Sequence, residues 1–90
     1  MVKEEKSTKG VTAPNQKEST YGQRAVGIFF NPSGDDAVGQ CKKGFADLID
    51  QMNNLRNSSA SGELKRLASV AITEAQSAQM WAVKALTWKD

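Results

Sequence analysis

The sequence predicts a mainly α fold: an antiparallel two-helix hairpin with a short extended N-terminal arm, assembled into an oligomer. Three observations carry this expectation. Val38, Cys41, Phe45, Leu48, Met52 and Leu55 recur in steps of three and four. Ala68, Ala71, Ala75, Ala78, Ala82 and Ala85 recur in the same steps. Between the two rows lies Asn57-Ser58-Ser59-Ala60-Ser61-Gly62, a turn short enough to make the helices antiparallel neighbours.

Taken in chain order, residues 1–20 read as a disordered tail. Val2, Val11 and Ala13 are its apolar residues, set among charges, Ser, Thr, Gly, Pro and Asn. Such a segment cannot bury enough surface to offset its ordering entropy. Residues 21–90 form the hairpin domain. Its arm, 21–32, contains the run Ala25-Val26-Gly27-Ile28-Phe29-Phe30, whose β-branched and aromatic content predicts an extended segment. Asn31 precedes Pro32 and is steered away from the helical region. Ser33 is read as the N-cap of the first helix, over 34–56, with Asp35 and Asp36 facing the positive end of its dipole.

The apolar row of this first helix is a heptad seam, widened by Ile49. Cys41 lies on it and reads as a small core residue rather than a reactive thiol. The second helix, over 62–87, carries the alanine stripe, which would let the first helix approach closely. Its remaining faces hold Leu64, Leu67, Val70, Ile72, Met80, Trp81, Val83, Leu86 and Trp88. One partner helix covers one stripe, so the surplus predicts other copies of the chain as cover. Trp81 and Trp88, seven apart, are the expected anchors of those contacts.

Composition excludes several function classes. With 12 Lys+Arg against 10 Asp+Glu, a net +2 gives no bulk attraction to a nucleic-acid polymer. The chain has no histidine and a single cysteine, which removes the usual zinc sites and Cys/His nucleophile pairs. Neither a P-loop nor a GxGxxG motif is present. Asp35 and Asp36 fit capping better than acid–base work. The expectation is therefore no enzyme, no cofactor, no metal and no catalytic residue. No run of roughly 20 apolar residues is available to span a membrane. No apolar core follows Met1–Lys6 as in a secretory signal, and the lone cysteine fits a soluble protein of a reducing compartment.

The stretch from Val70 to Ala85 resembles the C-terminal helix of a phage family, the small helical-hairpin anti-CBASS and anti-Thoeris proteins. The string Ala-x-Met-Trp-Ala-x-Lys/Arg-Ala is matched by Ala78 to Ala85. The entry Phe30-Asn31-Pro32-Ser33, followed by Val38, Lys42 and Ala46-Asp47-Leu48-Ile49-Asp50, is similar as well. The resemblance covers roughly residues 28–88, and Phe30 stands where anti-CBASS members tend to carry tyrosine. It implies a non-enzymatic sponge, often a hexamer, acting in the cytoplasm of the infected bacterial host. Its partner would be a cyclic di- or trinucleotide or a cyclic ADP-ribose-type signal, held without cleavage so that host antiphage defence is not triggered.

Such a ligand needs cations for phosphates, flat groups for bases and hydrogen-bonding side chains for base edges. Lys42 and Lys43 are both candidates for a phosphate, close in sequence to Phe29, Phe30 and Asn31. Arg66, Ser69, Thr73 and Gln76 form a polar line beside the alanine stripe. Polar residues on a helix otherwise simply face solvent. The site is expected in a crevice between chains. The alternative is a structural or protein-interaction helical module of a phage, whose surplus apolar face would meet another protein.

Overall fold

The computed structural model describes residues 18–90, so the tail expected over 1–20 lies outside the described residues except for its last three. Three helices and no strand occur among the described residues: α1, Tyr21–Ala25; α2, Asp36–Asn57; and α3, Gly62–Leu86. The long helices α2 and α3 make the hairpin, and α1 lies against α2.

The arm is a correction to the expected extended segment. Thr20 and Gln23 form a capping box: the Gln23 N–H donates to Thr20 Oγ1 and the Thr20 N–H to Gln23 Oε1, both at 3.0 Å. That local pairing starts α1 despite the strand-forming residues behind it. The chain then turns through Gly27, whose φ of 65° is in the left-handed region where glycine is favoured. The apolar residues of the arm serve burial instead of strand pairing: Val26 is buried in the core, and Ala25 and Ile28 pack against it.

Gly22 sets how close α1 comes to α2. Its N–H donates to Asp50 Oδ1 at 2.7 Å, and a Cβ there would run into the Ala46 carbonyl. Gly22→Ala is therefore expected to destabilise the fold by about 1–3 kcal/mol through overpacking against backbone. Urea denaturation reads this directly, and an unchanged midpoint would mean that α1 does not press on α2. Arg56 then joins all three helices. Its guanidinium donates to Ser69 Oγ of α3 and to Asn53 Oδ1, both at 3.0 Å, and lies 5.3 Å from the centre of the Tyr21 ring.

The start of α2 also differs from expectation. Asp35, not Ser33, is the N-cap, with Oδ1 accepting from the Ala37 N–H at 2.9 Å. Ser33 Oγ instead donates to Asn31 Oδ1 and accepts from the Asp35 N–H, organising the bend before the cap. Asp36 is thus the first helical residue. Ser61 caps α3 through the Leu64 N–H at 3.2 Å.

The inter-helix register is the main correction. The buried row of α2 is Val38, Lys42, Ala46 and Ile49, and that of α3 is Ala68, Ile72, Ala75 and Gln79. From the seam read in the sequence only Val38 is buried. Cys41, Phe45 and Met52 are half-buried, and Leu48 and Leu55 are exposed. Of the alanine stripe, Ala68 and Ala75 face inward, whereas Ala78 and Ala85 are exposed. The physical reason is that the contact row contains a lysine and a glutamine, which a hydrophobic pattern passes over.

What the sequence read as the seam is a flank. At about 100° per residue, Cys41, Phe45, Leu48, Met52 and Leu55 sit roughly a quarter turn from the buried row of α2. Leu67, Ala71, Ala78, Trp81 and Ala85 are displaced from the buried row of α3 in the same rotational sense. In antiparallel helices equal senses of rotation emerge on the same side. The two rows therefore form one apolar face, and the displacements of Asp50 and Gln76, which touch α1, have the opposite sense. Among the described residues the arm covers one side of the hairpin, and the other, apolar side is bare.

Candidate functional site

On the side of the arm, the bend before α2 does not close against the end of α3. The gap is a concavity of about 500 Å³, lined by arm residues Val26 and Phe30 to Ser33, by Val38 and Lys42 of α2, and by Gln79, Met80, Val83 and Thr87. It lies within the one chain described, where the short arm supplies a third wall that two helices lack.

Lys42 is the central group. It is buried in the α2–α3 contact row, and its Nζ donates to Gly27 O at 3.0 Å and to Phe30 O. The ammonium also lies 5.4 Å from the centre of the Phe30 ring. These partners are neutral, and Lys42 has no carboxylate partner among the described residues. A buried ammonium satisfied by carbonyls but not neutralised by an anion raises the local potential, which favours a phosphate. Phe30 itself is 71% exposed, so its free face is open to stacking. Asn31 lies beside it, with Nδ2 donating to Asp35 O at 3.1 Å.

Three of the residues singled out in the sequence, Phe30, Asn31 and Lys42, thus come together in this concavity. Phe29 lines a second one with Phe30, Gln23, Arg24, Gly27 and Ile28. Gln76 touches the arm through Nε2, which donates to Ala25 O at 3.5 Å. The others stand apart. Lys43 is exposed and pairs with Asp47 at 3.1 Å. Arg66 pairs with Glu63 at 2.7 Å, and this guanidinium holds the Glu63 carboxyl below its usual range. Ser69 Oγ is engaged by Arg56, and Thr73 Oγ1 donates to Ser69 O at 3.2 Å within α3. The lysine alternatives are thereby separated geometrically: Lys42 points into the concavity and Lys43 does not line it.

Gln79, Met80, Val83 and Thr87 also line the concavity and were not singled out as ligand residues. Met80 belongs to the Met-Trp string and reads as bulk apolar surface. Gln79 follows Gln76 and Ser77 among several polar residues of α3, and no local signal in the sequence sets it apart. Among the described residues no group of three or more His, Cys, Asp or Glu side chains could hold a metal ion. No helix among them is long and apolar enough to cross a membrane.

No curated protein and no solved structure matches the chain. A family model described as "Acb2/Tad1, hairpin domain" matches residues 24–87. That span takes in the end of α1, the bend, α2 and all of α3, well over half of the sequence. Hairpin, entry segment and Met-Trp string all fall within the match, and the chain belongs to the Acb2/Tad1 hairpin family, the anti-CBASS and anti-Thoeris sponges.

Proposed function

We propose that this protein is a non-enzymatic sponge that sequesters a cyclic nucleotide immune signal, a cyclic oligonucleotide or a cyclic ADP-ribose variant, in the cytoplasm of an infected bacterial host. The observation that carries the reading is the placement of Lys42 and Phe30 in one concavity. The ammonium meets a phosphate of the ligand, and the exposed face of Phe30 stacks on a base. Charge-assisted and stacking contacts of this kind hold a ligand without requiring its cleavage. Sequestration then lowers the free signal below what the host effector needs.

The sponge works as a homo-oligomer, a hexamer as the family resemblance implies. Support comes from the bare face described above, where Leu48, Leu55, Leu67 and Trp81 are exposed on one side of the hairpin. A face of that kind is unusual on a soluble monomer. The same face is what a structural or protein-interaction module of a phage would use, and the ligand experiment separates the two readings.

Calorimetry with a panel of cyclic di- and trinucleotides and cyclic ADP-ribose isomers is the test. Phe30→Ala is expected to weaken the best ligand roughly 5- to 150-fold, from the loss of about 1–3 kcal/mol of stacking, with little change in melting temperature because the ring is exposed. Lys42→Ala is expected to weaken it roughly 10- to 150-fold, the value of a charge-assisted hydrogen bond. Full affinity in both variants would place the ligand elsewhere. A panel without any binder would remove the sponge reading and leave the interaction module.

A further inference from the structure

Gln79 is the polar residue in the concavity that nothing in the fold explains. It is 7% exposed, in the row of α3 that packs on α2, and it lines the cavity beside Lys42. Its carboxamide has no hydrogen-bond partner among the described residues, whereas the neighbouring side chains of Lys42, Asn31 and Ser33 are each hydrogen-bonded twice. A buried amide left unpaired is costly, and native folds nearly always satisfy such groups. Leucine or methionine would fill the same volume in an otherwise apolar row without that cost. The amide is therefore out of place as a core residue and well placed as a ligand contact.

From this we propose that Gln79 reads the edge of a nucleobase in the concavity, and that the base is adenine. The inference rests on the sponge reading and adds the residue that selects the base. A carboxamide presents an acceptor and a donor side by side in one plane. Adenine offers the complementary pair, its 6-amino donor next to a ring-nitrogen acceptor, and glutamine meets that edge with two hydrogen bonds. The division of labour is then spatial. Phe30 stacks on a base, Lys42 takes a phosphate, and Gln79 closes on a base edge from the floor of the cavity.

The probes are cyclic di-adenosine monophosphate and its analogue lacking both 6-amino groups, titrated into the parent protein and into Gln79→Met. The parent is expected to bind the adenine ligand roughly 5- to 150-fold more tightly than the deamino analogue, and Gln79→Met is expected to bind the two alike. A general disturbance of the cavity would weaken both ligands equally and keep their ratio, and that result overturns the assignment. Melting without ligand gives an independent reading. Gln79→Met is expected to melt at or above the parent, because it removes an unpaired buried amide. A clear fall in melting temperature would mean that the amide has a structural partner, and would overturn the proposal as well. If the parent binds guanine-containing cyclic dinucleotides but not the adenine ligand, the base assignment fails while the sponge reading stands. If it binds no cyclic nucleotide, both fail together.

Discussion

Ile49→Ala is expected to lower the stability of the fold by about 2–5 kcal/mol, the range for truncating a large aliphatic side chain in a core. Ile49 is the largest fully buried side chain, at 0% exposure, and it is where the three helices converge: Val26 arrives from the arm, Ala46 from its own helix, and Ile72 and Ala75 from α3. Two of these neighbours are alanines, which have no longer side chain to swing into a void, so the cavity would remain largely open. Small domains have total stabilities of about 5–15 kcal/mol, so the loss is a large share. Chemical denaturation with constant slope reads it. A loss below about 1 kcal/mol would mean that the helices close over the gap and that the core is less rigid than its packing implies.

Trp81→Ala is expected to have the largest effect on assembly and little on the hairpin itself. Trp81 is 69% exposed and belongs to the bare apolar flank of α3, with the Lys84 ammonium 5.6 Å from its ring centre. Tryptophans that anchor an interface are worth about 2–4 kcal/mol, which is roughly 30- to 1000-fold in association. Sedimentation velocity across a concentration series should show the variant dissociating where the parent stays assembled. If both sediment alike, with Leu48→Asp behaving the same way, the bare face does not join copies of this chain.

The parts of this fold that were legible in the sequence are those that follow from periodicity and punctuation. Two long helices and the short turn at Asn57–Gly62 follow from the three–four spacing and from polar turn residues. The orientation of the helices was not legible, because two apolar rows compete on each helix and hydrophobicity ranks the wrong one first. In α2 the row with Phe45 and Leu48 outscores the row with Lys42 and Ala46, yet the second is buried, because a long lysine stem can line a core while its ammonium reaches the carbonyls of Gly27 and Phe30. The arm failed for a different reason: one capping box at Thr20 and Gln23 outweighs a run of strand-forming residues once α2 offers a surface for Val26. The grouping of Phe30, Asn31 and Lys42 came from sequence proximity and from the family resemblance. Gln79 could join them only through the return of α3, 37 positions after Lys42 in the chain, a neighbourhood that no local pattern encodes.

The two sides of the hairpin have different tolerances to change. One wall of the cavity is a surface bend, 30–33, whose side chains lie outside the helix contact, so ligand preference can drift there by single substitutions. The bare face offers no such latitude if it meets its own copy, since each substitution is then repeated in every subunit at once. Phe45 and Met52 narrow it further, because both pack against the core from that side. A lineage of this chain adapting to a new signal would therefore be expected to rewrite its entry segment and the end of its last helix first, and to leave the flank of its first long helix alone.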